Sequence, residues 1–301
     1  MSAVSTAPGT TDLADRDAFL TLAREHYENF PVGSWLLPKR ARLHLARIYA
    51  FARTADDLAD EHRDLAALLR FRELFLESLE GRPEDAPRLF ADLRLTIEEC
   101  ELPRQLFLDL LDAFEQDLRK NRYANQDELR DYCRRSADPV GRLVLRVHGI
   151  VDEETDRLSD HVCTGLQIVN HVQDLADDLR ERDRLYFPAA DLELLGIAED
   201  DLRSASYPDG ARILVRQWAE HAAWSLHEGA PIVERVRGRL RYELKAVIAT
   251  AAAQIDALRA VEFDVGPGRI KASKAARLRA ALAWIALGRF PRALRKGGIR
   301  W

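Results

Sequence analysis

The stretch YAFARTADDLADE, residues 49–61, is typical of an α-helix that carries acidic side chains on one face. Residues four apart lie on the same side of a helix, so Asp56 and Asp60 are one turn apart. Like charges at that spacing repel each other by about 0.2–0.5 kcal/mol. A bound cation would remove this repulsion, whereas the alternative is an acidic face in contact with solvent. The same face carries Tyr49, Arg53 and Asp57.

A second acidic segment, QIVNHVQDLADD at residues 167–178, repeats the pattern with three oxygen donors. Asn170, Asp174 and Asp178 follow one another at four-residue steps and line one side of a helix. Apolar residues between them indicate a central helix, where ionised carboxylates are unfavourable unless they are paired or bind a metal. Oxygen ligands without His or Cys favour Mg²⁺, which commonly shares substrate phosphate oxygens. The two segments together predict a magnesium and diphosphate site.

Helical periodicity dominates the rest of the chain, and no convincing strand ladder is present. The short, Pro- or Gly-marked connections predict one all-α domain, a bundle whose interior can hold a cavity. We expect a flexible N-terminus at 1–14, the all-α domain at 15–288 and a basic C-terminal tail at 289–301. The predicted helices cover residues 38–61, 64–80, 103–120, 127–149, 153–181, 210–228, 231–262 and 273–288.

Charge is distributed unevenly along the 301 residues, whose formal net charge is -5. From Val265 onward the chain has 10 of its 45 Lys and Arg and none of its 50 Asp and Glu, so residues 1–264 carry 35 minus 50, or -15. This balance argues against nucleic-acid binding. The stretch at 271–290 mixes cations with Leu, Ile, Trp and Phe. It predicts either peripheral contact with an anionic membrane or packing on the acidic body.

Several other classes of protein are not supported by the sequence. The 3 cysteines suggest neither a disulfide framework nor a zinc site, and no signal peptide or membrane span is evident, so we expect a cytoplasmic protein. No Glu-x-x-His pair, Rossmann glycine motif, P-loop or GxSxG motif occurs. His148, His161 and His171 therefore read as packed or surface residues, and no nicotinamide cofactor is expected.

Five motifs resemble the squalene/phytoene synthase family over most of the chain. They are HYENF at 26–30, YAFARTADDLAD at 49–60, the pair Tyr132 and Cys133, the spaced Asn170, Asp174 and Asp178, and RLYFP at 184–188. The resemblance implies the isoprenoid-synthase helical fold with a central hydrophobic cavity. It also implies an enzyme that acts on a prenyl diphosphate with two or three Mg²⁺ ions.

Individual roles follow from the same resemblance. Arg53 would contact the diphosphate and stabilise it as a leaving group, while Tyr49 and Tyr132 would lie near the reacting carbons. Both tyrosines could instead be ordinary core aromatics. The implied metal ligands are Asp56, Asp57, Asp60, Asn170, Asp174 and Asp178. The implied substrate-binding residues are His26, Asn29, Phe30, Arg53, Gln167, Asn170 and Tyr186.

The chain departs from the broad family pattern at RRSADPVG, residues 134–141, and at His171 and Gln173. Together with ENFPVGSW at 28–35, the stretch YCRRSADPVG at 132–141 resembles the bacterial hopanoid-pathway branch, the hydroxysqualene synthases. That resemblance implies ionisation of presqualene diphosphate, rearrangement of the cation and capture by water, without a reductant. The polar residues near the motifs either position this water or orient metal ligands. They are Asn29, Gln167, His171 and Gln173.

Two alternatives remain open from the sequence. The first is a prenyltransferase that condenses two prenyl diphosphates to presqualene diphosphate, squalene or phytoene. The second is a noncatalytic helical assembly factor, in which we would expect degraded acidic motifs. Both acidic motifs are intact here, which favours an enzyme.

Overall fold

A computed structural model describes residues 38–81 and 87–295 of the chain. The chain divides into two compact units, Met1–Arg104 and Gln105–Trp301. His26, Asn29 and Phe30, predicted to bind substrate, lie outside the described residues, as does the end of the basic tail. The predicted boundaries at residues 14 and 288 stay predictions.

The described part of the first unit is built from three helices around an aromatic core. Phe51 is fully buried, with its ring centroid 4.8 Å from Phe75 and 5.3 Å from Phe71. Phe90 completes the cluster, 4.8 Å from Phe71. Rings at these separations attract each other in addition to burying apolar area. The helices are α1 Lys39–Asp60, α2 Leu65–Leu79 and α3 Arg88–Cys100.

The second unit is also helical, and its β contact within the described residues is one isolated bridge between Arg122 and Leu185. A helix that begins at the boundary, α4, leads into it. The helices are α4 Arg104–Arg119, α5 Gln126–Ser136, α6 Asp138–Val147, α7 Glu153–Asp177, α8 Ala189–Leu195, α9 Asp209–Gly229, α10 Ile232–Arg235, α11 Gly238–Ala260 and α12 Lys274–Leu287.

Close contact between α7 and α9 holds the centre of this unit. A Cβ atom at Gly165 would lie 2.8 Å from Leu226 Cγ, and one at Gly229 would lie 2.7 Å from the carbonyl oxygen of Leu158. Both distances are shorter than a carbon atom tolerates, so the helices approach closely because these two positions lack a side chain. The second acidic segment, which lies on α7, is therefore carried by one member of a closely packed helix pair.

The all-α prediction is confirmed, but several helix boundaries were wrong. The predicted helix at 127–149 is divided at Ala137, because Pro139 has no N–H with which to continue the helix. The predicted helix at 231–262 is two helices, α10 and α11, and the prediction missed α3 and α8 entirely. After Asp177 the α-helical pattern changes to a π-helical turn, Asp178–Arg182. Such turns occur frequently at functional sites.

Candidate active site

The first acidic segment surrounds Arg53 with carboxylates on α1. Its Nη1 lies 3.2 Å from Asp56 Oδ2, and its Nη2 lies 2.6 Å from Asp57 Oδ1 and 2.8 Å from Glu61 Oε1. Asp60 is the last residue of the helix and is partly exposed. The single positive charge of Arg53 thus partly offsets three carboxylates that lie close together on this face.

Burial changes the protonation behaviour of two residues beside Arg53. It raises the pKa of Asp57, an effect that the positive charge of Arg53 partly opposes. It also raises the pKa of Tyr49, which therefore keeps its phenolic proton at neutral pH. A neutral Tyr49 can donate a hydrogen bond, for example to an oxygen of a diphosphate.

The second acidic segment crosses from α7 into the π-helical turn. Asp174 Oδ1 lies 2.6 Å from Nε of Arg269, and Asp178 Oδ1 lies 3.1 Å from Nη1 of Arg182. Burial, followed by the negative charge of Asp174, raises the pKa of Asp178 to about 7. Asn170 and Asp174 are partly exposed, so the stripe runs from a partly open surface to a buried carboxyl group.

Arg269 is held against this segment by backbone anchors. The side-chain amides of Gln254 and Gln173 donate hydrogen bonds to the backbone carbonyl oxygen of Ile270, at 2.6 and 3.3 Å. The side-chain oxygen of Gln254, Oε1, accepts a hydrogen bond from the backbone N–H of Ala272 at 2.7 Å. Gln173, one of the departures from the broad family pattern, therefore helps to fix the connection to α12. These contacts bring Arg269 to Asp174 across almost a hundred residues of sequence.

Tyr132 and Tyr186 meet in a buried polar cluster on the carboxylate of Asp117. The hydroxyl of Tyr132 donates to Asp117 Oδ2 at 2.6 Å, and that of Tyr186 donates to Asp117 Oδ1 at 3.2 Å. Arg184 donates to the Tyr186 hydroxyl at 3.1 Å and to the Asp117 carbonyl oxygen at 3.0 Å. Burial and the charge of Asp117 raise the pKa of both tyrosines well above its usual value, so both stay neutral.

The imidazole ring of His171 packs against this cluster. Its imidazole stacks on the ring of Tyr186, with centroids 3.7 Å apart and planes inclined by 23°. The Tyr132 ring centroid is 6.0 Å away. Burial lowers the pKa of His171 to about 3, so the imidazole is neutral at physiological pH. Gln167, one turn earlier on α7, is partly exposed.

The oxygen donors fit a divalent cation that is shared with a substrate. Within residues 38–81 and 87–295 no three His, Cys, Asp or Glu side chains form a ready-made cage. Mg²⁺ at phosphate-binding sites commonly uses only one or two carboxylates together with phosphate oxygens and water. Asp174 beside the buried Asp178 supplies such a pair, and because burial and the charge of Asp174 raise the pKa of Asp178, a bound cation would favour its ionised form.

Comparison with known proteins shows the family of this chain. Residues 23–276 match the model of the squalene/phytoene synthase family. The chain belongs to that family. It is thus an isoprenoid synthase that acts on a prenyl diphosphate, and members of the family generally use a divalent metal.

Curated relatives include two bacterial hydroxysqualene synthases. The protein from Sinorhizobium fredii is 38% identical over 232 residues, which cover 76% of this chain and 78% of the relative. The protein from Rhodopseudomonas palustris is 38% identical over 226 residues, covering 74% and 77%. Phytoene synthases are more distant, for example 30% identical over 208 residues in Mycobacterium tuberculosis.

Solved structures support the isoprenoid-synthase fold. The squalene synthase HpnC from Alicyclobacillus acidocaldarius is 39% identical and superposes with a TM-score of 0.76, covering 85% of this chain and 98% of that one. A dehydrosqualene synthase in complex with a ligand superposes with a TM-score of 0.80 at 20% identity, covering 89% and 94%. The second likeness concerns the fold alone.

Two residues of the site were missed by the sequence analysis. Asp117 occupies the apolar stripe of α4, one turn after Ala113 and two turns after Leu110, and an acid at such a position could have been recognised as a buried anchor. Arg269 gave no comparable signal, because it lies in an irregular connection. Arg184 was visible only as part of the RLYFP motif.

Replacing Asp117 by Ala should destabilise the protein by about 3–5 kcal/mol, since two buried hydroxyl groups lose their common acceptor and buried Arg184 loses the carboxylate 4.0 Å from its Nε. Urea unfolding followed by circular dichroism measures the change. Asp109→Ala is the matched control on the same helix, where the carboxylate accepts only from Gln105 at an exposed position, and should cost under about 1 kcal/mol. Equal effects of the two substitutions would contradict the buried cluster.

Proposed function

We propose that this chain is a Mg²⁺-dependent hydroxysqualene synthase that converts presqualene diphosphate and water into hydroxysqualene and diphosphate. The observation that carries the proposal is the stripe Asn170, Asp174 and Asp178, which lies on the same helix as the histidine that stacks on the buried tyrosine cluster. Relatives at 38–41% identity named hydroxysqualene synthase support the choice of product. The proposal places the reaction in squalene and hopanoid biosynthesis.

Residues of both acidic segments would bind the diphosphate end of the substrate. In the first segment Asp56, Asp57 and Asp60 would hold Mg²⁺, and in the second Asn170 and Asp174 would do so together with Asp178. When bound, two or three such ions supply the positive charge that stabilises diphosphate as a leaving group. Arg53 would donate to the diphosphate oxygens, in place of the carboxylates that it contacts here, as the carbon–oxygen bond breaks.

Neutral aromatic groups would receive the cation that remains. Tyr132 and Tyr186 keep their protons, so neither can be alkylated as a phenolate. The electron-rich faces of their rings attract a positive charge, by about 2 kcal/mol where water is excluded. Asp117 fixes both hydroxyl groups and thereby the orientation of the rings. Tyr49 would lie near the reacting carbons, where its hydroxyl could orient the diphosphate, and Gln167 would contribute to substrate binding.

Condensation of two prenyl diphosphates is the alternative activity. Its support is the family itself, which includes phytoene synthases among the relatives, and the likeness to the HpnC structure, which is that of a squalene synthase. A squalene product requires a hydride donor, and the sequence has no nucleotide-binding motif to hold one. A noncatalytic assembly factor, the second alternative from the sequence, is not favoured, because both acidic segments are complete and the chain belongs to a family of isoprenoid synthases.

Pure presqualene diphosphate with Mg²⁺ in ¹⁸O-labelled water should give an alcohol that carries the label, because the oxygen comes from solvent. Mass spectrometry of the extracted lipid measures the label. Parallel incubations with farnesyl and geranylgeranyl diphosphate test the condensing activities. A hydrocarbon product from those substrates, with no alcohol from presqualene diphosphate, would contradict the proposed reaction.

Asp174→Ala should reduce turnover at least a thousandfold while the helical circular dichroism spectrum stays unchanged, because one oxygen donor of the diphosphate site is lost. Asp177→Ala is the matched control. Asp177 lies on the same helix outside the stripe, and its carboxylate is 3.7 Å from Arg180. This variant should keep activity within about threefold of the wild type. Full activity in Asp174→Ala would remove the metal assignment.

We also propose that α12 attaches the protein to an anionic membrane surface. One side of the helix packs inward, where Ala281 and Trp284 are buried and Lys245 Nζ lies 5.7 Å from the centroid of the Trp284 ring. An adjacent side exposes Leu278 and Leu282, at 60% and 52%. The helix thus has one face that packs on the protein and another that is free to contact a membrane.

Charge favours a lipid surface as the partner of the exposed side. The chain has no Asp or Glu from Val265 onward, and the basic residues of this stretch include Lys274 and Arg279, both exposed. Leucines among cations on an amphipathic helix suit an anionic bilayer, where the side chains enter the headgroup boundary. No helix in the described part of the chain is long and apolar enough to cross a membrane.

The double substitution Leu278→Ser with Leu282→Ser should weaken binding to vesicles containing phosphatidylglycerol at least tenfold, since burying each leucine contributes about 1.5–3 kcal/mol. Leu194→Ser is the control, because Leu194 is 83% exposed on a different helix. Vesicle sedimentation measures binding. We expect binding to decrease with added salt and to be absent with phosphatidylcholine alone. Equal binding by both variants would exclude α12 as the attachment site.

A further inference from the structure

His171 has a buried nitrogen with unused hydrogen-bonding capacity. The residue is 6% exposed, and its Nε2 atom is fully buried without a hydrogen-bond partner among the described residues. A buried polar atom left in this state costs about 1–3 kcal/mol. Such atoms are rare in folded proteins, and an ordered water or a ligand group commonly satisfies them. The position of His171 therefore indicates a small polar partner.

The neighbouring side chains do not need that partner themselves. The hydroxyl groups of Tyr132 and Tyr186 both donate to Asp117, and Arg184 donates to the Tyr186 hydroxyl. Their hydrogen-bonding groups are engaged within the cluster. Among the described residues, Nε2 of His171 is thus a buried atom beside the two aromatic rings that can still form a hydrogen bond.

The direction of Nε2 is constrained by its surroundings. Stacking on Tyr186 at 3.7 Å limits rotation of the imidazole, and Tyr186 is itself held by Asp117. The backbone of His171 is fixed in α7, directly after Asn170 of the acidic stripe. The atom is therefore pre-oriented and lies on the same helix as the residues that would bind the diphosphate.

We propose that His171 is a positioning residue whose Nε2 holds, by a hydrogen bond, the water that captures the rearranged carbocation. The inference rests on the proposed function, because only a reaction that ends in an alcohol needs such a water. A lone pair of the water oxygen forms the new carbon–oxygen bond. The extra proton of the resulting oxonium passes to the diphosphate released in the ionisation step, so the products are the alcohol and protonated diphosphate.

An imidazole nitrogen suits this task better than the other polar groups nearby. It forms one hydrogen bond, which orients the water and leaves an oxygen lone pair directed away from the ring. The rings of Tyr132 and Tyr186 attract the cation to the same place. A fixed water competes with loss of a proton from a neighbouring carbon, which would give a hydrocarbon with one more double bond.

The test uses His171→Phe in the full chain with presqualene diphosphate, Mg²⁺ and ¹⁸O-labelled water. Phe preserves an aromatic ring for stacking on Tyr186 but removes Nε2. We expect diphosphate release within about tenfold of the wild type, and a ratio of labelled alcohol to hydrocarbon at least tenfold lower. His171→Gln, which restores a polar atom near the position of Nε2, should recover part of the alcohol.

Folding provides a second readout and an independent check. Because Nε2 has no side-chain or backbone partner among the described residues, its removal breaks no hydrogen bond between them, so His171→Phe should unfold at a urea concentration close to that of the wild type. If the Phe variant does not fold, His171→Leu repeats the removal of Nε2 without a ring. Either variant must lower the share of alcohol if the proposal is correct.

Three outcomes would overturn the inference, and they differ in what else they affect. A wild-type protein that makes no labelled alcohol removes the proposed function and this role together. Wild-type alcohol with an unchanged share in His171→Phe or His171→Leu removes the role of His171 alone. Loss of diphosphate release with an unchanged product ratio, in both the Phe and Gln variants, would instead show that His171 orients the diphosphate site.

Discussion

Carboxylates that are partly removed from water need a positive partner. In this protein that partner is an arginine, and in the proposed function it would be a divalent cation. In the first unit three acidic side chains share Arg53, and in the second Asp174 is paired with Arg269. An arginine in such a position stabilises the acidic segment in the absence of substrate. Under the proposed function a divalent cation would take over the carboxylates and leave the guanidinium groups available to an anionic substrate.

The buried carboxylate of Asp117, in the second unit, likewise needs partners for its negative charge. Its carboxylate accepts hydrogen bonds from two tyrosines, while Arg184 contacts its backbone carbonyl. The carboxylate therefore serves to keep two aromatic rings in fixed orientations and in the neutral form. A rigid aromatic wall is useful to an enzyme that generates a carbocation, because the rings stabilise charge without offering a nucleophile. Stability and chemistry are thus provided by the same hydrogen bonds.

The sequence was sufficient for the helical class, most long helices and both acidic segments, because each of these depends on spacing within one helix. The four-residue steps at Asn170, Asp174 and Asp178 are a local property. The contact between Asp174 and Arg269 is not, since it depends on how Gln254 anchors an irregular connection. Asp117 was missed for a related reason, as its partners Tyr132 and Tyr186 are brought to it only by packing of separate segments.

The distinction between local and tertiary contacts also explains why the start of the reaction is easier to predict than its end. Ionisation needs clustered charge, which a repeating pattern of acids on one helix is enough to supply. In the proposed reaction the product would depend instead on what the cation meets within a few ångströms, and a single uncharged atom such as Nε2 of His171 would be enough to change it. Its position is fixed by stacking and by hydrogen bonds between distant segments. Family resemblance therefore constrains the diphosphate chemistry more strongly than it constrains the final carbon–oxygen bond. In the proposed reaction, that bond would depend on the geometry around the tyrosine cluster.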